Sequence, residues 1–199
     1  PNYTPIDEFH PLKPINYYGY TKLLIEENLQ WYSELKGLKF ASLRYFNAAG
    51  YDSDQKFINI EKNPQNLIPV IMECAIGIRK KLEVFGDDYS TIDGTGVRDY
   101  IHVSDLARGH LDSIDYLFNK NKNLIINLGT GNGFSVLEVI NATEKISNKS
   151  INYSISSRRE GDPDTVIASA KKAEKLINWL PKKSDLENII SSTWEMYNK

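Results

Sequence analysis

The 199 residues carry 24 Lys plus Arg against 26 Asp plus Glu, a net charge of −2 with a pI of about 6.0. That balance leaves no strongly basic surface for nucleic acid and no polybasic membrane anchor, and no apolar run reaches the roughly 18 residues of a spanning helix. One cysteine, Cys74, excludes an internal disulfide and points to a reducing, cytoplasmic setting.

The opening "PNYTPIDEFHPLKP" is polar and rich in proline, unlike a signal peptide. With no initiator methionine and no strand-like start, the numbering is expected to begin inside a longer protein. Residues 1–16 read as a surface loop, because each proline disfavours helix in the residue before it.

A helix is expected over Tyr18–Glu34, then a buried strand in "LKFASLRYF" and a long loop over 47–66. A helix over Leu67–Lys80 follows and holds Cys74. The strand "LEVFG" leads to the acidic, glycine-bearing loop "DDYSTIDGTGVRDY", and "YIHV" to a helix capped by the Ser104 hydroxyl. Strand "LIINLGT", a glycine turn, a helix over Ser135–Ser147, strand "INYSI", an arginine-rich loop and two terminal helices complete the chain. Strands alternating with helices predict an α/β fold.

On a helical wheel Tyr18, Lys22, Ile25, Leu29 and Tyr32 share one stripe, which predicts that Lys22 faces inward beside Tyr18. The alternative is a lysine that snorkels to solvent along that stripe. An ammonium held near a phenol in a closed site favours the ionised form and makes the phenol a proton acceptor. A Tyr-x-x-x-Lys spacing is weak by itself.

Further blocks give it weight: "LRYFNAAG" at the carboxyl end of a strand, "NLIP", "GDDYSTIDGTGVRDYIHVSDLA" and "RREGDPD". With YGYTK and NLGTGNGFSV, their order and spacing resemble the carboxyl-terminal part of the UDP-glucose 4-epimerases, within the extended short-chain dehydrogenase/reductase family. The resemblance covers essentially the whole chain.

It implies the last part of an NAD-binding Rossmann-type domain over residues 1–48. Residues 49–199 would be mainly a smaller, mixed α/β UDP-sugar-binding domain, with segments near 98–135 packing back on the first. It also implies NAD as cofactor, a UDP-sugar as substrate and a homodimer at full length. Tyr18 would take the proton from the sugar 4-hydroxyl, and Lys22 would bond the nicotinamide ribose. Tyr45 and Phe46 would border the nicotinamide, and Asn47, Asn66 and Leu67 would touch the nucleotide-sugar. The backbone near Glu83 and Phe85 would hold the uracil, Arg98 and Arg159 would neutralise the diphosphate, and Asp162 would lie near the ribose. Guanidinium forks suit phosphate oxygens. Without the resemblance, Arg98 reads as a partner of Asp99 or Asp105, and Arg159 as a solvated charge.

At Val166 the family's bulky tyrosine is replaced by a smaller residue, which implies room for an N-acetyl group at the sugar 2-position. The family's glycine-rich phosphate loop and the Ser or Thr ahead of the tyrosine have no counterpart among the residues before Tyr18, so this chain alone is expected to be inactive. Alternatives are a nucleotide-sugar 4,6-dehydratase or decarboxylase, or a non-catalytic UDP-sugar-binding fragment. Gly129, Gly131 and Gly133 mimic a dinucleotide fingerprint but have the wrong spacing, and read as a turn. His102 and His110 read as packing or hydrogen-bonding residues, the three tryptophans as core or helix packing, and no metal site is expected.

Overall fold

Asn16 opens the first helix by accepting the Gly19 N–H at 2.8 Å, and Gly37 closes it in the left-handed region, so α1 spans Tyr17–Lys36. These positions come from a computed structural model, which describes residues 1–52 and 59–199. The expected inward stripe is not buried. Tyr18, Ile25 and Tyr32 are 71%, 51% and 59% exposed, and Lys22 is exposed as well. Trp31, expected to pack, is also left in solvent. A wheel reports which residues share a face, whereas burial also needs an element opposite that face. The adjacent flank of α1 is tied down instead: Glu26 accepts Ser42 Oγ at 2.7 Å and Arg44 Nε at 2.8 Å, and Asn123 Nδ2 donates to Ser33 Oγ at 2.7 Å.

The next strand is shorter than expected, β1 (Ala41–Tyr45), and the predicted loop begins as a strand, β2 (Asn47–Ala49). The middle of that loop, 53–58, lies outside the described residues. Helix α2 (Leu67–Ala75) stops before Lys80, where Gly77 turns the chain at φ 78. Strands β3 (Leu82–Phe85), β4 (Val97–Arg98) and β5 (Tyr100–His102) lead into α3 (Val103–Lys120). The cap of α3 is His102, whose Nδ1 accepts the Ser104 N–H at 3.1 Å, rather than the Ser104 hydroxyl. Then come β6 (Leu124–Leu128), β7 (Phe134–Ser135) and α4 (Val136–Ser147), which Ser135 and Glu138 start with a capping box. The chain ends with β8 (Tyr153–Ser156), β9 (Thr165–Val166), α5 (Lys171–Ile177) and α6 (Leu186–Tyr197).

Pairing is mostly parallel, as an α/β fold requires. β1 runs parallel to β6, β2 to β5, β3 to β8 and β4 to β9, while β7 lies antiparallel on β4. The core has two centres. One, around Ile101, Leu124, Ile126, Leu128 and Trp179, buries the faces of β6, α3 and α5. The other, around Ile71, Met72, Val84, Ile140 and Ile189, packs α2, α4 and α6 on β3, with Trp194 at its border. Among the described residues no helix is long and apolar enough to cross a membrane.

Candidate functional site

Beside the second of these centres lies a cavity of about 990 Å³, walled by the end of β2, the start of α2, β3 and the segments around Arg98 and Arg159. Phe46, Asn47, Asn66 and Leu67 contribute to its wall from β2 and α2. Glu83, Phe85, Arg98, Arg159 and Asp162 contribute from β3, β4 and the arginine-rich loop.

Each is placed by local structure. Asn66 is the N-cap residue of α2, makes no side-chain cap there and lines the cavity. Asn47 donates to Asp99 O through its backbone at 3.0 Å and its side chain at 3.3 Å. Arg98 Nη1 donates to Val97 O and Pro163 O, both at 2.9 Å, and Nη2 stands 3.9 Å from Asp162. Asp162 thus takes the place of the Asp99 or Asp105 partner that the bare sequence suggests, because both of those carboxylates are occupied elsewhere. Asp99 accepts Thr130 Oγ1 at 2.8 Å and Ala168 N at 3.1 Å; Asp105 accepts Lys182 N at 2.9 Å and Ser184 Oγ at 2.7 Å.

The Arg159 guanidinium lies 3.9 Å over the Phe85 ring, so it rests on the cavity wall while the residue stays exposed to solvent. Beside it, Arg158 lies 4.0 Å over Tyr89 and donates to Asp88 Oδ1 at 2.6 Å. Tyr89 is buried and lines the cavity, a residue that sequence reasoning passes over although it sits within the quoted "GDDYSTIDGTGVRDY" block. Burial pushes its phenol pKa up. Glu83 accepts Ser156 Oγ across the β3–β8 pair at 2.5 Å.

Four designated residues lie outside the cavity wall: Tyr18, Lys22, Tyr45 and Val166. Lys22 Nζ stands 5.0 Å from the Tyr18 ring centroid, over its face, so the ammonium is near the phenol as expected, but as a solvent-exposed cation–π contact and not in a closed site. Tyr45, 48% exposed, ends β1 with its ring 6.2 Å from that of His110. Val166 sits opposite Arg98 in the β4–β9 register.

The glycine turn is no dinucleotide cradle. A Cβ on Gly129 would stand 2.4 Å from Ala168 Cβ and 2.8 Å from Asp99 Oδ2, and one on Gly133 would stand 2.6 Å from Val97 Cγ1. These glycines make room for the protein's own side chains. The side chains of Tyr18, Lys22 and Tyr45 are all exposed. No group of His, Cys, Asp and Glu suited to a metal occurs among the described residues.

The family model described as GDP-mannose 4,6 dehydratase matches residues 1–193. A UDP-glucose 4-epimerase of Streptococcus mutans is 42% identical over 100% of this chain and 60% of its own length. The structure of a UDP-glucose 4-epimerase from Bifidobacterium longum in complex with NAD+ and UDP superposes with a TM-score of 0.88, at 39% identity, over 100% of this chain and 59% of that one. The UDP-Glc/GlcNAc 4-epimerase of Campylobacter jejuni gives a TM-score of 0.79 at 43% identity, over 97% of this chain and 59% of that one. The chain thus spans about 60% of the length of the curated relatives it matches.

Proposed function

The chain belongs to the family that the GDP-mannose 4,6 dehydratase model describes, and from that premise we propose that its protein is an NAD-dependent UDP-glucose 4-epimerase. It interconverts UDP-glucose and UDP-galactose by inverting the sugar at C4 through a 4-keto sugar. The observation that carries this reading is the cavity in which Arg98, Arg159, Phe85 and Asn66 meet. Relatives at about 40% identity that bear the epimerase name support it.

In this reading Arg98 and Arg159 neutralise the diphosphate and Asp162 meets the ribose. The backbone beside Glu83 and Phe85 holds the uracil. Asn47, Asn66 and Leu67 touch the nucleotide-sugar. Tyr18 accepts the proton of the sugar 4-hydroxyl and later returns it, with Lys22 holding positive charge beside the phenol. Tyr45 and Phe46 border the nicotinamide. NAD, when bound, would supply a hydride acceptor and donor, so that no net oxidation would occur.

We read residues 1–48 as the end of the cofactor domain and 49–199 as mainly the UDP-sugar domain, with segments near 98–135 packing back on the first; the β1–β6 pair and the core centre that joins Ala41 and Leu43 to Ile101, Leu124 and Ile126 support that return. Val166 supports acceptance of N-acetylated UDP-sugars as well. The working protein is taken to be a cytoplasmic homodimer, and this chain by itself to be inactive.

The family description favours one second reading, a 4,6-dehydratase. Incubating the intact protein with UDP-glucose separates the two. An epimerase yields UDP-galactose of unchanged mass, whereas a dehydratase yields a product lighter by one water, and that result would replace the epimerase reading.

A further inference from the structure

Beyond the cap on α3, the hydrogen bonds around His102 serve none of the roles assigned above. His102 ends β5, caps α3 and is only 1% exposed. Its Nδ1 accepts the Ser104 N–H at 3.1 Å. A backbone N–H only donates, so Nδ1 is the acceptor and the ring proton sits on Nε2. Nε2 lies 3.2 Å from Ser192 Oγ in α6. That hydroxyl donates to Ile189 O at 3.1 Å and accepts the Tyr51 N–H at 3.2 Å. The His102 N–H in turn donates to Ser184 Oγ at 2.9 Å.

One ring therefore joins β5, α3, α6 and the segment after β2. Gly50 is pressed against it: at φ 79, an added Cβ would stand 2.5 Å from His102 Cδ2 and 2.7 Å from Nε2. Gly50, Tyr51 and Thr193 all belong to the cavity wall.

We propose that His102, in its Nε2–H form, is a positioning residue that holds the Gly50–Tyr51 wall of the cavity against α6 through Ser192, and so sets the cavity's hold on a nucleotide-sugar. The proposal rests on reading that cavity as the nucleotide-sugar site. Protonating the ring places an Nδ1–H against the Ser104 N–H, so the bond that orients the ring is lost, although Nε2–H can still donate to Ser192. Burial is the largest influence on His102 and lowers its pKa below the ordinary histidine value. Asp105 of α3, Asp185 at the start of α6 and Asp52 beyond Tyr51 favour the charged ring, and Lys183 opposes it. With a lowered pKa the arrangement is complete at neutral pH and is lost as pH falls through the folded value.

The test is calorimetric titration of UDP-glucose, whose diphosphate has no proton to gain near neutrality, into the intact protein between about pH 5 and 8. Affinity is expected to be level at the upper end and to fall toward the acid end. Ser192→Ala is expected to weaken binding roughly tenfold at neutral pH. His102→Asn keeps a cap acceptor but falls short of Ser192; it is expected to weaken binding equally and remove the acid fall, and the double variant to be no worse than either single one. Imidazole nitrogen-15 shifts report the tautomer without any ligand. Unchanged affinity in Ser192→Ala, or an Nδ1–H tautomer, overturns the proposal while leaving the cavity reading intact. No binding of UDP-glucose by the wild type removes both. If His102→Asn fails to fold, Ser192→Ala and the tautomer still decide.

Discussion

The Arg159 guanidinium lies 3.9 Å over the Phe85 ring, which holds a positive charge on the cavity wall before any anion arrives. Replacing the ring but keeping its bulk, Phe85→Leu, is expected to weaken UDP binding roughly twofold to fivefold. Arg159→Lys keeps the charge but loses the planar fork, and about a tenfold loss is expected. Calorimetry on the intact protein checks both; equal affinities would show that the stack does not position the charge.

Asp99 ties the glycine turn and the segment after β9 to the strand that carries Arg98. It is fully buried, and its oxygens accept Thr130 N, Thr130 Oγ1 and Ala168 N. Burial raises its pKa, partly offset by those donors. A carboxyl whose pKa is raised on folding holds its proton more tightly in the native state. Its contribution is therefore most favourable below the unfolded value of about 3.9 and declines as pH rises through the folded value. Asp99→Asn sets an amide donor among donors and is expected to cost about 1–3 kcal/mol, with a flatter dependence of stability on mildly acidic pH. Urea denaturation across that range measures both.

Tyr18 and Lys22 lie outside the cavity wall, so chemistry and binding are expected to separate. Tyr18→Phe in the intact protein is expected to lower kcat by roughly 10²-fold to 10⁴-fold with UDP-glucose affinity retained. Weakened affinity with kcat unchanged would mean that Tyr18 contributes to binding and not to proton transfer.

Val166→Tyr is expected to depress turnover of the N-acetylated UDP-sugar while sparing UDP-glucose. Comparable rates for wild type and variant on the acetylated sugar would remove Val166 from the specificity argument.

Much of this arrangement is legible in the sequence, and the gaps have physical causes. Gly37 marks the end of α1 by its cap chemistry, but a wheel cannot say that Tyr18 and Lys22 face solvent. The glycine turn reads as a turn from its spacing, yet its reason, the buried Asp99 carboxylate, is a contact between residues distant in sequence. β4 and β9 are two residues long, too short to show any periodicity. His102 escapes notice as a cap because Ser104 has the more usual cap side chain. Arg98 and Arg159 are paired by resemblance alone in the sequence, and the fold brings both to one cavity wall.

The most direct measurement is calorimetric titration of UDP-glucose into the intact wild-type protein and its Arg98→Ala and Arg159→Ala variants. One site per chain is expected in the wild type, with affinity falling at least about tenfold in each variant. Wild-type affinity in both variants, or no binding by the wild type, would contradict the assignment of this cavity to a UDP-sugar.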